Sequence, residues 1–260
     1  MNLRSLNPFL VLLFLLVSLD TWAQSPYQLD TKREISLYTV ALGSLAFGQL
    51  TNSTLTPLSQ NAINTLNPND IHPFDRATIQ NNSKWAADVS DVGVYSIMAL
   101  PLALFTQKEV RNDWKTILFM YGETLGLGST LPNWTKNTVG RLRPYVYNND
   151  VSVTQKMELD AQRSFFSSHT CVAFSSAVFL SQVYADYNPH SKWKPFIWTG
   201  SLLAASTIGY MRYQSGNHFP SDILIGAAVG SGIGFLVPQL HKIRKNSNSK
   251  MTGKRRPASS

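Results

Sequence analysis

Six apolar segments, separated by polar or Pro/Gly-rich stretches, are the feature of this 260-residue sequence that most restricts its fold. None of them alternates apolar and polar residues as a half-buried strand does, and most are 15–17 residues long, which is typical of helices. We therefore predict an all-α protein, a bundle of about six core helices. The segments are Ile35–Leu50, Val89–Phe105, Thr116–Leu131, Cys171–Tyr184, Phe196–Met211 and Ile223–Val237.

The composition of these segments fits two environments. They are rich in Gly, Ala and Ser, which let helices approach closely in lipid and also suit the centre of a soluble bundle. Pro101 and Glu123 interrupt two of them, and the mean hydropathy of −0.10 is low for a fully membrane-embedded protein. We favour a membrane-embedded bundle, and the sequence leaves the soluble alternative open.

The first 23 residues have the pattern of a secretory leader, with Arg4 ahead of an apolar core at Pro8–Leu19 and a small residue at Ala23. This core is shorter than the ~20 residues of a membrane span, so we expect cleavage before Gln24 rather than an uncleaved anchor. The predicted divisions of the chain are the leader or anchor at 1–23, an N-terminal helix and polar excursion at 24–88, a helical domain at 89–240 and a basic tail at 241–260.

The formal net charge of +8 is concentrated in that tail, where seven Lys/Arg and no acid lie between His241 and Ser260. A basic tail after the last apolar segment indicates a solvated or lipid-facing cytoplasmic end rather than a nucleic-acid-binding arm. The connections after the second and fourth segments are basic as well, so one side of the bundle collects positive charge. Their basic residues are Lys108, Arg111, Lys115, Lys192 and Lys194.

If the positive side is cytoplasmic, the connections 132–170 and 212–222 face the periplasm. A cleaved leader would start the mature chain in the periplasm too, and six full spans would then place those connections in the cytoplasm. We therefore predict that Ile35–Leu50 is interfacial or re-entrant and does not cross the bilayer.

Three short stretches concentrate groups that can do chemistry, each at the end of a helical segment on the predicted external side. They are Lys136-Asn-Thr-Val-Gly-Arg-Leu-Arg143-Pro144, Ser164-Phe-Phe-Ser167-Ser168-His169 and Arg212-Tyr-Gln-Ser-Gly-Asn-His218-Phe-Pro-Ser-Asp222. Taken alone, each also fits a structural role as a solvated loop, a helix cap or a helix-face pair. Together they supply the parts that phosphoryl transfer needs.

Fixed cations and helix N-terminal amides can hold the charge that a transferring phosphoryl group spreads over its equatorial oxygens. Lys136, Arg143 and Arg212 are the candidate cations, since the planar fork of Arg meets two phosphate oxygens and Lys supplies a point charge. Ser167 and Ser168 precede the fourth core helix, where unpaired amides and the helix dipole favour an anion.

Two histidines and one aspartate complete the predicted site. His169 lies at the same helix start, within reach of a leaving-group oxygen. His218 lies just ahead of the last helix if Pro220 takes its first turn, and Asp222 then lies within that turn. A carboxylate on one ring nitrogen would fix the tautomer and leave the other nitrogen free to attack phosphorus.

This chemistry needs no metal, and we expect neither a metal nor a cofactor. The sequence shows no His/Asp/Glu cluster that would hold a metal ion. A cysteine-based metal cluster and an intrachain disulfide are both excluded because Cys171 is the only cysteine.

These stretches resemble the three signature motifs of the type 2 phosphatidic acid phosphatase and vanadium haloperoxidase superfamily. The family patterns are Lys, six residues, Arg-Pro; Pro-Ser-Gly-His; and Ser-Arg, five residues, His, three residues, Asp. The first and third match in spacing, and the resemblance covers roughly residues 89–238. Ser168 in place of Gly would be strained if its φ were positive. The departures are Phe166, Ser168 and Met211.

By this resemblance, His218 is the nucleophile that forms a phosphohistidine, His169 is the general acid and Asp222 orients His218. The resemblance implies that the remaining groups bind phosphate. They are Lys136, Arg143, Arg212, Ser167 and Ser168.

The implied function is metal-independent hydrolysis of a lipid phosphate monoester or pyrophosphate at the bacterial inner membrane, with the site facing the periplasm. Inorganic phosphate and vanadate are expected ligands, and nucleic acid is not a partner. The alternative is a soluble periplasmic non-specific acid phosphatase acting on small phosphoesters. A vanadate-dependent haloperoxidase would have nearly the same site, but its known members are generally larger. A binding protein with a decayed site is disfavoured because every inferred catalytic side chain is present.

Overall fold

A computed structural model describes residues 25–52 and 55–243, which form ten α-helices and several 3₁₀ turns, with no strand among these residues. Six helices are long and hold all or most of the six apolar segments, so the predicted all-α bundle is confirmed. The predicted leader and the tail beyond residue 243 lie outside the described residues. The long helices are α1 (Thr31–Asn52), α4 (Lys84–Ala99), α6 (Trp114–Val139), α8 (Ser168–Tyr187), α9 (Lys194–Gln214) and α10 (Pro220–His241).

Shorter elements connect the long helices. Most lie at one end of the bundle, where the longest connections are found. The short helices are α2 (Gln60–Asn64), α3 (Pro73–Arg76), α5 (Lys108–Asn112) and α7 (Val153–Lys156), and the 3₁₀ turns are Pro68–Asp70, Ala77–Gln80, Leu100–Thr106, Pro144–Tyr147 and Leu159–Gln162.

Helix α8 is the centre of the bundle. It packs against α4, α6, α9 and α10, and buried residues occupy all of its sides rather than one stripe. Two of its buried serines donate hydrogen bonds within the helix, Ser175 Oγ to Val172 O at 3.0 Å and Ser181 Oγ to Ala177 O at 2.9 Å. Small side chains and internally satisfied hydroxyls let four neighbours surround this helix.

Glycines bring α10 unusually close to α8. Gly226, Gly230 and Gly234 recur every four residues and so share one face of α10. A Cβ at Gly230 would lie 2.2 Å from Cys171 O, and a Cβ at Gly234 would lie 2.4 Å from Ser175 O. The two backbones can approach this closely only because no side chain separates them.

Helix α1 runs beside α6 in the same direction over most of its length. Tyr38 Oη donates to Phe119 O at 3.0 Å near one end, and Asn137 Nδ2 donates to Gly48 O at 2.5 Å near the other. The re-entrant alternative predicted at 35–50 is therefore wrong, whereas the interfacial alternative stays a prediction. A re-entrant segment reverses direction, whereas this one forms a continuous 22-residue helix that stays packed against α6.

The two ends of the described chain meet at the end of the bundle where α1 begins and α10 ends. Tyr27 pairs with Lys242 as an isolated antiparallel bridge, with Gln28 N donating to His241 O at 2.9 Å and Ile243 N to Pro26 O at 2.9 Å. The connections 53–83, 140–167 and 215–219 all lie at the opposite end. Residue 25 and the basic tail therefore leave the same end of the bundle.

The polar excursion packs against the end of α9 and does not form a separate unit. Ser83 N donates to Gln214 O at 3.1 Å, and Asn81 Nδ2 donates to Tyr213 O at 3.1 Å. Ser83 also caps α4, accepting a hydrogen bond from Ala86 N. The division predicted at residue 88 therefore falls inside α4, which belongs to both sides of that boundary.

Among the residues that the structure describes, two helical stretches are long and apolar enough to cross a membrane. They are Lys84–Thr106, of 23 residues, and Pro220–His241, of 22 residues. By length and composition alone this is weak evidence of membrane insertion, because a core helix can share these properties.

The α8–α10 contact generates a stability prediction. Gly230→Ala should lower the free energy of unfolding by about 1–3 kcal/mol, because its Cβ would overlap the Cys171 carbonyl. Gly232→Ala is the matched control on the same helix, since a Cβ there meets nothing within 4 Å. It should be neutral or stabilising by up to about 1 kcal/mol. Thermal unfolding of the two purified variants measures the difference, and equal stabilities would contradict the packing argument.

Candidate active site

The predicted site residues converge at the end of the bundle that carries the long connections. Lys136 and Arg212 lie in the last turns of α6 and α9, while His169 and Asp222 lie in the first turns of α8 and α10. His218 lies in the short connection between α9 and α10. Helices that run alternately toward and away from this end thus bring three distant stretches of sequence together.

Two glycines and one proline shape the loops that hold these residues. Gly140 ends α6 with φ of 61°, and Gly216 turns the chain after α9 with φ of 68°. A Cβ at Gly216 would lie 2.1 Å from Asn81 O, so this position admits only glycine. Pro220 starts α10 as predicted, because its fixed φ suits the first helical turn.

A polar cavity of about 440 Å³ occupies the centre of this end. Basic side chains line most of its wall, and two carboxylates and two amides complete it. Its polar and charged lining residues are Asp91, Asn133, Lys136, Arg143, Asp160, Arg163, Ser168, His169, Arg212 and Asn217. Such a concentration of fixed cations suits a multiply charged anion such as phosphate.

Two of the cavity's arginines are held rigidly. Arg143 donates from Nε to Asp160 O and from NH2 to Asp160 Oδ1, both at 2.8 Å, and from NH1 to Asn217 Oδ1 at 2.7 Å. Arg212 NH1 donates to Asp91 Oδ1 at 3.1 Å and to Ser90 Oγ at 3.2 Å. Both guanidinium groups are almost fully buried, so the cavity is shaped before any ligand enters.

The ring of His218 is fully buried, although the residue lies in a connection between helices. Its Nδ1 lies 2.7 Å from Ser164 O, and since a carbonyl can only accept, Nδ1 carries the proton. The other nitrogen, Nε2, is buried without a hydrogen-bond partner. Burial, reinforced by the charges of Lys136, Arg143 and Arg212, lowers the pKa of His218 well below its usual range. The neutral ring thus keeps a free lone pair on Nε2.

The hydrogen bond predicted between Asp222 and His218 is not present in the structure. Its Oδ2 is 3.9 Å from His218 Nδ1, because the Ser164 carbonyl takes that position. Asp222 instead accepts from Ser164 Oγ at 2.5 Å, from Phe219 N at 2.9 Å and from Arg141 NH1 at 2.5 Å. Its carboxylate therefore fixes the two segments between which His218 is held, and orients the ring indirectly.

Arg141 extends this network to the polar excursion. It bridges Asp222 and Asp75, donating from NH2 to Asp75 Oδ2 at 2.8 Å. Asp75 in turn accepts from Ser221 N at 2.9 Å and from Ser221 Oγ at 2.7 Å, within the first turn of α10. Neither Arg141 nor Asp75 was assigned a role from sequence.

His169 faces the cavity and pairs with Asp91, with 2.9 Å between Nε2 and Oδ1. Desolvation, followed by the charges of Arg212, Lys136 and Arg143, lowers the pKa of His169 to about 3. In the empty cavity the ring is therefore neutral at pH 7. Asp91, which also accepts from Arg212, was not singled out from sequence because it lies on α4, outside the three stretches.

The two serines of the second stretch have different places. Ser168 lines the cavity as the first residue of α8, and its φ is not positive, so the strain considered for a residue in place of Gly does not arise. Ser167 is buried beneath it and caps α8, its Oγ accepting from Thr170 N at 3.3 Å, while its own N–H donates to Asp222 O at 3.2 Å. Of the two serines predicted to bind phosphate, Ser168 lines the cavity and Ser167 does not.

A second, largely apolar groove of about 310 Å³ adjoins the cationic cavity. It lies over α8 between α4 and α6, and the two spaces share Asn133, Ser168 and His169. An apolar ligand chain bound in this groove would therefore have one end next to His169. Its other lining residues are Val94, Tyr95, Met98, Ser129 and Val172.

A family comparison identifies the fold that carries this site. The profile of the PAP2 superfamily matches residues 117–246, which is half of the chain and includes all three stretches. This chain belongs to the PAP2 superfamily. The resemblance noted from the three motifs is thereby confirmed.

Similar proteins within the family include named phosphatases. A probable diacylglycerol pyrophosphate phosphatase of Schizosaccharomyces pombe is 29% identical over 56% of this chain and 62% of its own length. A lipid A 1-phosphatase of Porphyromonas gingivalis is 29% identical over 51% of this chain and 25% of its own length. The chain thus spans less than two thirds of either relative.

Among solved structures, a transmembrane phosphatidylglycerolphosphate phosphatase of PAP2 type from Bacillus subtilis is similar to this chain. It has a TM-score of 0.46 and 18% sequence identity, over 78% of this chain and 96% of that one.

Proposed function

We propose that this PAP2 protein is a phosphatase that hydrolyses the phosphate monoester or pyrophosphate of a lipid through a phosphohistidine on His218. The observation that carries the proposal is the junction of the cationic cavity with the apolar groove at His169. A phosphate held by the cations would place its ester oxygen near His169, and an apolar chain could leave through the groove. The names of the two curated relatives, both phosphatases of lipid phosphates, support this substrate class.

The first chemical step uses His218 and the three cations. Lys136, Arg143 and Arg212 hold the phosphoryl oxygens, and the free lone pair of His218 Nε2 attacks phosphorus. The bond from phosphorus to the leaving oxygen breaks as the new P–N bond forms. Asp222 and the Ser164 carbonyl keep the ring in the orientation that this attack requires.

His169 supplies and then recovers the proton. A phosphate dianion among the cations offsets their charge, which raises the pKa of His169 from its low value in the empty cavity. The protonated ring donates to the leaving alkoxide or phosphate. The neutral ring then accepts a proton from the water that attacks phosphohistidine, releasing inorganic phosphate and restoring both histidines.

We propose that the bundle is embedded in a membrane. Apolar residues dominate its exposed surface, including Leu42, Phe119, Leu203 and Leu236 on four different helices. The only charged residues within the six apolar segments are Glu123, which is buried, and Asp91, which lies at the active-site end. The near absence of charged residues from the six apolar segments is what contact with lipid requires.

The orientation that fits the charge pattern places the active site in the periplasm and the basic connections in the cytoplasm of a bacterial cell. Both Tyr27 and Lys242 lie at the end of the bundle opposite the site, so both belong on the cytoplasmic side in this arrangement. This arrangement therefore favours an uncleaved anchor over the expected cleavage before Gln24, which would start the mature chain in the periplasm. A soluble periplasmic acid phosphatase is the alternative. It would have the same site, and the experiments below separate the two.

The groove predicts how the enzyme distinguishes its substrates. Met98→Glu should lower kcat/KM for a long-chain lipid phosphate by at least about tenfold, because a carboxylate in an apolar groove opposes a hydrocarbon chain. Hydrolysis of p-nitrophenyl phosphate, which has no such chain, should change by less than about threefold. Rates are measured in detergent micelles by release of inorganic phosphate.

Val92→Glu is the matched control, since Val92 is exposed on the same helix and does not line the groove. It should leave both rates unchanged. Equal effects of Met98→Glu on the two substrates would contradict a lipid-binding groove and favour the acid phosphatase.

A second prediction concerns the proton donor. His169→Ala should reduce the rate on a lipid phosphate monoester by about 10²–10⁴-fold and the phosphate-releasing step on p-nitrophenyl phosphate by less, because nitrophenolate leaves without protonation. The wild-type kcat on the lipid should also fall as pH rises through the pKa of His169 in the complex, since the proton is then lost. Losses that do not depend on the leaving group would contradict the role.

The same variant provides a test of the intermediate. With p-nitrophenyl phosphate, His169→Ala should accumulate a phosphoenzyme that is labile to acid and stable to alkali, as a phosphoramidate is. Peptide mapping should place the phosphate on His218, and His218→Ala should give none. A phosphate on any other residue would remove His218 from the role of nucleophile.

The third prediction concerns orientation. Asn149 and Lys192 are exposed in connections at opposite ends of the bundle, and the parent chain's Cys171 is buried. In cells with a permeabilised outer membrane, an impermeant thiol reagent should label Asn149→Cys and not Lys192→Cys or the parent. Labelling of both would indicate a protein outside the bilayer, and labelling of Lys192→Cys alone would reverse the orientation.

A further inference from the structure

Three ionisable side chains converge inside the bundle near the end opposite the active site. They are Glu34 in the first turn of α1, Glu123 in α6 and His241 at the end of α10. One ligand atom from each lies within 4.8 Å of the others, and Glu123 and His241 are fully buried. Glu123 precedes Lys136 on the same helix by 13 residues, which separates the cluster from the catalytic cavity by about 20 Å. No spacing pattern in the sequence indicates this cluster, because its members are far apart in the chain.

The imidazole of His241 presents its Nε2 to two carboxylates. Its Nδ1 lies 2.8 Å from Val237 O, and because a carbonyl only accepts, Nδ1 carries a proton. The opposite nitrogen, Nε2, is 2.8 Å from Glu34 Oε2 and 3.3 Å from Glu123 Oε2. Acceptor atoms at these distances repel one another unless a cation or a further proton lies among them.

The two glutamates differ in what else holds them. Glu34 Oε1 accepts from Arg33 NH2 at 2.8 Å and from Asp30 N at 2.7 Å, which fixes the carboxylate and leaves Oε2 facing His241. Neither oxygen of Glu123 has a hydrogen-bond donor among the described residues. A fully buried carboxylate without a donor is costly, so this group points to a bound cation.

We propose that Glu34, Glu123 and His241 bind one divalent transition-metal cation, of which Zn²⁺ is the best fit. One imidazole nitrogen and two carboxylate oxygens are ligands that zinc accepts in a four-coordinate site completed by water. The Nδ1–H of His241 on a backbone carbonyl is the arrangement that usually orients a metal-binding imidazole. Such an ion would cross-link α1, α6 and the end of α10. It would lie at the end of the bundle opposite the catalytic groups.

This site has a structural consequence that does not depend on the proposed function. The ion would link α1 to α10 at the end of the bundle where Tyr27 pairs with Lys242. Metal binding should therefore appear as stability of the folded chain, whatever reaction the other end performs.

The test uses the full-length protein in detergent, stripped with dipicolinate and then dialysed against Zn²⁺. The wild type should retain one Zn²⁺ per chain by elemental analysis, and Zn²⁺ should raise its Tm by about 5 °C or more. Glu123→Gln and His241→Gln should each weaken Zn²⁺ binding at least about tenfold and abolish the Tm response. Co²⁺ in place of Zn²⁺ should give visible absorption bands in the wild type that both variants lack.

Glu109→Gln and His190→Gln are matched controls, since both residues are exposed and lie at the same end of the bundle. They should bind Zn²⁺ as the wild type does. A wild type with less than half an equivalent of metal and an unchanged Tm would overturn the proposal. So would a metal-free protein whose Tm falls as pH rises and ignores Zn²⁺, because a protonated His241 would then bridge the glutamates.

Discussion

The close contact between α8 and α10 is the constraint on which the rest of the structure depends. Gly226, Gly230 and Gly234 allow the two backbones to meet, and Ser167 N reaches Asp222 O at 3.2 Å where both helices begin. This contact sets the start of α8 and the start of α10 at one level. His169 and His218, which are 49 positions apart in the chain, are thereby brought to the same end of the bundle, where His169 lines the cavity and His218 is buried. A side chain at the contact would displace one helix relative to the other and separate the two histidines.

The cavity gathers cations that would repel one another if nothing held them. Arg143 is fixed by Asp160 and Asn217, and Arg212 is fixed by Asp91. The free energy needed to bring these positive charges together is therefore supplied when the protein folds, and the ligand does not have to supply it when it binds. The same charges lower the pKa of His218, which keeps its Nε2 unprotonated. Arg141 links this arrangement to Asp75, so the polar excursion also supports the site through a residue that does not line the cavity.

The two ends of the bundle have opposite character. One collects arginine and lysine around an open cavity, and the other buries two glutamates against a histidine. Helices α6 and α10 contribute to both, with Lys136 and Asp222 at the first end and Glu123 and His241 at the second. The proposed catalytic centre lies at one end and the proposed metal site at the other. Between them, the bundle is held together by the packing of small residues around α8.

The sequence by itself determined the helical class, the six long helices and the three stretches that form the site, because apolar segment length and motif spacing are local properties of a chain. It did not determine that Ser167 caps a helix, that the Ser164 carbonyl rather than Asp222 holds His218, or that Ile35–Leu50 runs beside α6 without reversing. Asp91 and Asp75 were missed because they lie outside the motifs, and Arg141 was missed because it is one of the six unspecified residues between Lys136 and Arg143. The Glu34, Glu123 and His241 cluster was missed because it joins helices that no spacing rule relates. Those features depend on which surfaces meet when the helices pack, and only the tertiary structure decided them.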